Sequence, residues 1–220
     1  MNTGWDVLLP KLLANLWITL YMVSITLVVS GILGMLLGLA LYTSRPNGLL
    51  QNRFVFAGLN LFVNIVRPIP FIILISALLP VTRAVVGTHI GTNAAIFVMI
   101  VAATFYIGRI VEQNLVGIDP GVIEAVRAAG ARPLRIILTV LIPEALGPLV
   151  LGYTFVVIGI VDMSALAGVI GGRGLGDFAL VNGYNVFRWD VTLVATAVIV
   201  IIVQLVQFIG NRVSRRVLRY

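Results

Sequence analysis

What most limits this chain is the length of its uncharged runs. Charge interrupts it so seldom that residues 14–43, 55–80, 94–116, 144–168 and 190–211 read as almost wholly apolar windows. A helix rising about 1.5 Å per residue needs about 20 such residues to cross the roughly 30 Å of hydrocarbon in a bilayer. Five windows of that length in 220 residues leave no stretch for a separate soluble domain. The composition agrees: 60% of residues are hydrophobic and 10% charged, with a mean hydropathy of +1.10, where soluble domains carry roughly 25% charge. The expectation is an all-α, polytopic membrane protein of about five transmembrane helices.

The first window is far longer than the roughly 7 to 15 apolar residues of a signal-peptide core, so it reads as a retained span. The chain has no cysteine, so neither disulfides nor thiol chemistry enter. Basic residues accumulate on the cytoplasmic side of membrane proteins, and an odd number of spans puts the termini on opposite faces. With the N-terminus outside, the cytoplasmic segments hold Arg45, Arg53, Arg109, Arg127, Arg132, Arg135, Arg212, Arg215, Arg216 and Arg219, against Lys11, Arg83, Arg173 and Arg188 outside. Ten against four predicts that orientation and a cytoplasmic C-terminus. The net charge of +7 is then mostly topology, together with a basic tail suited to anionic lipid headgroups, and it does not point to nucleic acid.

Within the spans the signals favour packing over chemistry. Ser30, Gly34 and Gly38 recur every four residues, a small-residue face that admits another helix closely or, alternatively, lines a path. In "IVRPIPFIILI", Pro68 and Pro70 remove backbone donors and predict a broken segment, either along a pathway or as a re-entrant turn. Ionisable groups in a span are costly unless paired or functional. Arg67 and Asp162, the latter followed by Met163 and Ser164, are therefore candidate pathway residues. Their structural alternatives are an acid or freed carbonyls for Arg67, and a hydrogen bond across a helix interface for Asp162. His89 stands alone in "VGTHIGTN" without ligand-type neighbours, so no metal site is expected.

The exception to this apolar pattern is "VIEAVRAAGARPLRIILTVLIPEAL" at 122–146. Asp119 suits an N-cap, Pro120 the first helical position and Gly130 a C-terminal break. A second short helix is predicted from Pro133, with Leu134, Ile137, Leu138 and Leu141 forming one stripe and Pro143 ending it before the fourth span. A hairpin at 119–143 could lie on lipid, read DNA as a helix-turn-helix, or dock in a groove of a cytoplasmic protein. The lipid reading leaves Glu124 and the turn unexplained. The DNA reading fails because both ends are pinned near the bilayer.

"EAVRAAGARPLRIILTVLIP" resembles the signature of bacterial ABC-importer permeases: Glu-Ala-Ala, three residues, Gly, nine residues, Ile, any residue, Leu-Pro. Glu124, Ala125, Gly130 and Pro143 match it, while Val126, Val140 and Ile142 are apolar replacements. "RPIPFIILI", "VGTHIGTNAA", "IPEAL", "SALAGVIGGRGLGD" and "NGY" resemble the methionine-importer branch in order and spacing. Departures are Pro68, Asp162, Arg173 within a glycine run, and Arg132 where a Ser or Thr commonly caps the second short helix.

The resemblance implies one type I ABC-importer permease domain over 1–220 in a bacterial cytoplasmic membrane. It also implies a second permease copy, two cytoplasmic ATPases and an external substrate-binding protein. Glu124, Ala125, Arg127, Gly130, Arg132, Pro133, Arg135 and Pro143 would couple the permease to the ATPases. The chain itself has no G-x-x-x-x-G-K-[ST] loop, its one lysine being Lys11, so ATP and Mg would be used by the partner ATPase and no cofactor is expected here. The remaining alternatives are a permease for another amino acid or small solute, and an ion-coupled secondary carrier using Asp162 and Arg67. A carrier of that kind would show paired broken helices, and the sequence has no second copy of the "RPIP" break.

Overall fold

The computed structural model describes residues 4–217, and among them the secondary structure is entirely helical. The α helices are α1 (Trp5–Ser44), α2 (Arg53–Val66), α3 (Phe71–Ala77), α4 (Leu79–Val86), α5 (Thr92–Val116), α6 (Pro120–Ala128), α7 (Pro133–Ile136), α8 (Ile142–Leu166), α9 (Leu175–Asn182) and α10 (Trp189–Val217). Four helical stretches among the described residues are long and apolar enough to cross a membrane. These are Trp5–Ser44, Thr92–Val116, Pro133–Ile170 and Trp189–Arg216; α2 and α3, a bent pair, make a fifth if counted together. The break between α2 and α3 falls at Arg67–Pro70, where the two prolines withhold their N–H groups.

Against the sequence expectation, Pro143 does not stop the second hairpin helix, which runs on through a π-helical turn, Ile137–Leu141, into α8. A proline ring in an α-helix collides with the carbonyl four residues back. The wider π turn just before Pro143, where the Ile142 N–H donates to the Ile137 carbonyl five residues back, makes room for that ring.

The chain forms two compact units. The first comprises residues up to Val29, Ile69–Ala103 and Val157–Val206. Its core joins Leu8 and Leu12 of α1 to Leu175 and Phe178 of α9 and to Val191 and Ala195 of α10. The N-terminus of α9 is capped from a distance. The Leu175 N–H donates to Thr19 Oγ1 at 2.8 Å and the Gly174 N–H to Asn15 Oδ1 at 3.0 Å. Thr92 Oγ1 donates to the Gly172 carbonyl at 3.0 Å, and the Gly91 N–H to the Ile170 carbonyl at 2.8 Å. These partners satisfy groups that a helix end otherwise leaves open.

The second unit comprises Ser30–Pro68, Thr104–Val156 and the residues from Gln207 onward. Here Gly34 and Gly38 of α1 lie against Ile107 and Val111 of α5. A Cβ at either glycine would sit 2.5 Å from the facing Cβ. In lipid, helices associate through such close van der Waals packing and interhelical hydrogen bonds. Tyr153 donates to the Gly31 carbonyl at 2.7 Å, and Ser214 to the Gly147 carbonyl at 3.3 Å.

Candidate coupling site

The hairpin is built almost entirely from local bonds. Asp119 Oδ1 accepts from the Gly121 N–H at 2.8 Å and Pro120 takes the first helical position, so α6 starts as its residues predict. It ends in a pair of reverse bonds: the Gly130 N–H donates to the Arg127 carbonyl at 3.0 Å and the Ala131 N–H to the Val126 carbonyl at 3.3 Å. This is the Schellman pattern, which needs a left-handed residue after the cap, and Gly130 has φ +82. Arg132 precedes Pro133 in an extended conformation and its side chain caps nothing.

No residue of α6 is buried. Glu124, Ala125, Arg127, Arg132, Arg135 and Pro143 are exposed, and Pro133 is half-buried. The expected apolar stripe divides: Leu141 is buried, Ile137 half-buried, while Leu134 and Leu138 are 66% and 57% exposed. The stripe therefore does not seal against its own chain.

Behind α6 lies a cavity of ≈ 100 Å³, lined by Glu124, Arg127, Ile123, Arg45, Asn47 and Gly48 among others. It brings the Glu124 carboxylate into one space with two guanidinium groups, without an ion pair between them. Arg45 is held by stacking over the Tyr42 ring, 4.2 Å from its centroid.

The sequence reading missed a polar cluster in the same unit. Arg109 of α5 donates to Glu112 Oε2 at 2.5 Å, and to Asn60 and Asn64 Oδ1 of α2 at 3.0 and 2.5 Å. Glu112 is only 7% exposed, and Arg109 is its ion-pair partner. The available signal was spacing: Asn60 and Asn64 are four apart, and Arg109 and Glu112 three apart, which puts each pair on one helix face. The cluster ties α2 to the last turns of α5, the helix that leads into α6.

The candidate pathway residues separate. Arg67 stacks over Tyr106, 5.3 Å from its centroid, rather than pairing with an acid or with freed carbonyls. Pro68 and Pro70 are exposed in the break after α2. Asp162 is exposed on α8 and has no hydrogen bond or ion pair among the described residues, so the expected bond across a helix interface is absent. Met163 is half-buried; Ser164 is buried and donates to its own helix at the Val161 carbonyl, 2.7 Å away.

Residues 30–219 match the family described as "Binding-protein-dependent transport system inner membrane component". The chain is 42% identical over 208 residues to the "Probable D-methionine transport system permease protein MetI" of Vibrio cholerae, covering 94% of this chain and 92% of that protein. It is also 42% identical to the "Methionine import system permease protein MetP" of Bacillus subtilis, covering 79% and 78%. A crystal form of the "MetNI methionine ABC transporter" in an inward-facing conformation is 39% identical, covers 100% of both chains and superposes with a TM-score of 0.92. The chain thus belongs to the inner-membrane components of binding-protein-dependent transport systems, the membrane-spanning permease subunits of ABC transporters.

Proposed function

We propose that this permease moves methionine across the bacterial cytoplasmic membrane by alternating access. It works as a pair of copies with two cytoplasmic ATPases, which use ATP and Mg, and an external substrate-binding protein. The observation that carries the reading is the hairpin: α6 is shaped by its own caps, buries none of its residues and leaves Glu124 and Arg127 exposed. A helix of that kind fits a groove on another protein. On ATP binding the ATPases close, α6 and its turn travel with them as a rigid lever, and the spans rearrange around the substrate path. The Arg109 cluster gives the lever a route, because it ties the end of α5 to α2 within the same unit.

In this arrangement Glu124 accepts hydrogen bonds at the rim of the ATPase groove. Arg127, Arg132 and Arg135 meet acidic groups on that rim or lipid phosphates. The arginine asymmetry supports an external N-terminus and a cytoplasmic C-terminus. Arg67, Pro68, Pro70, Asp162, Met163 and Ser164 remain the pathway candidates. Asp162 has the strongest reason to face water or another protein, since an unpartnered carboxylate against lipid is costly.

Substrate is tested by reconstituting the permease with its ATPase and binding protein and measuring ATP-driven uptake of labelled methionine against an excess of other amino acids. Competition by methionine alone supports the reading. Equal uptake of an unrelated amino acid, or uptake that needs an ion gradient and no ATPase, overturns it.

A further inference from the structure

The C-terminal end of α10 gathers charge that no part of the described chain neutralises. Arg212, Arg215 and Arg216 lie three and four residues apart, on one helix face, and with Phe208 they line a cavity of ≈ 330 Å³. None of the three is in an ion pair, and no acid lines the cavity among the described residues. Like charges at these spacings repel along a helix, so the cluster is destabilising until an anion enters it. Guanidinium groups suit oxyanions: the planar fork matches carboxylate or phosphate oxygens two at a time.

The surroundings favour one source of oxyanion. Phe208 and Ile209, one turn before Arg212, are 64% and 59% exposed. They belong to a helix that is long and apolar enough to span a membrane, and whose most apolar stretch is 6% buried. Ser214 is buried and bonds to the Gly147 carbonyl, which holds this end of α10 against the start of α8 and turns the arginines away from that contact. Along the helix, then, an apolar surface gives way within one turn to three cations. An anionic phospholipid has the same order, acyl chain and then phosphate, and a helix apolar enough to span a membrane places that order at the headgroup level; free phosphate has no use for the bare Phe208 and Ile209.

We propose that this end of α10 is a binding site for an anionic phospholipid, its phosphate among Arg212, Arg215 and Arg216 and its first acyl carbons on Phe208 and Ile209. The cavity is large enough for a phosphate and the glycerol it carries. Lipid there would hold the last span in place beside α8. The inference depends on α10 crossing the membrane and not on which solute is carried.

The permease, purified with its ATPase subunits in mild detergent, is examined by native mass spectrometry after exposure to equal phosphatidylglycerol and phosphatidylcholine. The expected result is retained phosphatidylglycerol in preference to phosphatidylcholine. Each arginine near an anionic lipid contributes about fivefold in affinity, so Arg212→Gln should lower retention about fivefold and the triple Arg212→Gln/Arg215→Gln/Arg216→Gln variant further. Arg83→Gln, an exposed arginine elsewhere, should leave it unchanged. Phe208→Ser should weaken phosphatidylglycerol but leave any inorganic phosphate binding unaltered.

Three results would overturn the proposal. One is unchanged phosphatidylglycerol in the single and triple arginine variants. Another is its full displacement by millimolar inorganic phosphate with no effect of Phe208→Ser, which would assign the site to free phosphate. The third is loss of the ATPase subunit with lipid retained, which would make the patch a protein-docking surface.

Discussion

Two short breaks between helices, the turn into α9 and the turn after α6, use the same backbone device and are held in opposite ways. Each contains a glycine in the left-handed region, Gly174 at φ +97 and Gly130 at φ +82. At Gly174 the supporting groups come from far away in sequence: Asn15 and Thr19 of α1 cap the N–H groups of residues 174 and 175. A Cβ at Gly174 would meet Thr19 Oγ1 at 2.8 Å and Met22 Cε at 3.0 Å, whereas one at Gly130 would meet nothing within 4 Å. The first turn is locked into its unit. The second carries its shape with it and keeps its surface free, which is what a lever gripped by another protein requires.

This contrast predicts that damage separates into function at one turn and stability at the other. The largest effect is expected from Glu124→Lys: if the hairpin docks as proposed, ATP-driven uptake should fall roughly tenfold or more because the carboxylate at the groove becomes a cation. The melting temperature of the permease alone should stay within a degree or two, since no residue of α6 is buried. A large fall in melting temperature would show the hairpin to be part of the fold after all. Gly174→Ala is the converse. Strain at φ +97 and the contact with Thr19 should cost about 1–3 kcal/mol and be read as a lowered melting temperature. Gly130→Ala suffers the backbone strain without the collision, so its loss of stability should be the smaller of the two.

A finer comparison sets the two helix caps side by side. Thr19→Val leaves the buried Leu175 N–H without an acceptor, at about 1–3 kcal/mol. Asp119→Ala removes a cap that is open to water, at about 1 kcal/mol or less. Thermal melts of both variants in one detergent check the order, and equal losses would remove the distinction between a clamped and a self-capped turn.

Legibility in the sequence followed the same division. The hairpin's beginning and its Gly130 end could be read because caps are local: Asp119 acts two residues away, and the Schellman bonds close within five or fewer. The resemblance to importer permeases rests on the same stretch. The clamp on α9 could not be read, since Asn15 and Thr19 lie 159 and 156 residues from the groups they cap. Pro143 misled because a local rule for proline does not include the π turn that accommodates it. Arg109 was counted for its charge, and its meeting with Asn60 and Asn64 is a tertiary fact.

The smallest expected effects lie just beyond Gly172, where Arg173 holds φ +61 without being glycine. A left-handed residue with a side chain costs about 1–2 kcal/mol, and the greater freedom of glycine in the unfolded chain offsets much of that relief, so Arg173→Gly should raise the melting temperature only slightly. It also removes a charge from beside Asp177. Burial pushes the Asp177 carboxyl above its ordinary value of 3.8, and Arg173 partly opposes that shift. A carboxyl raised on folding holds its proton more tightly in the native state, so its contribution to stability is complete below 3.8 and is lost as the pH rises through the native value. Without Arg173 the native value should move higher and that loss extend to higher pH, while Asp177→Asn should abolish it. Melts of the three proteins between pH 4 and pH 7 would show this as a downward slope that is longer in Arg173→Gly and absent in Asp177→Asn. The same slope in all three would mean that the locked turn does not set the ionisation of Asp177.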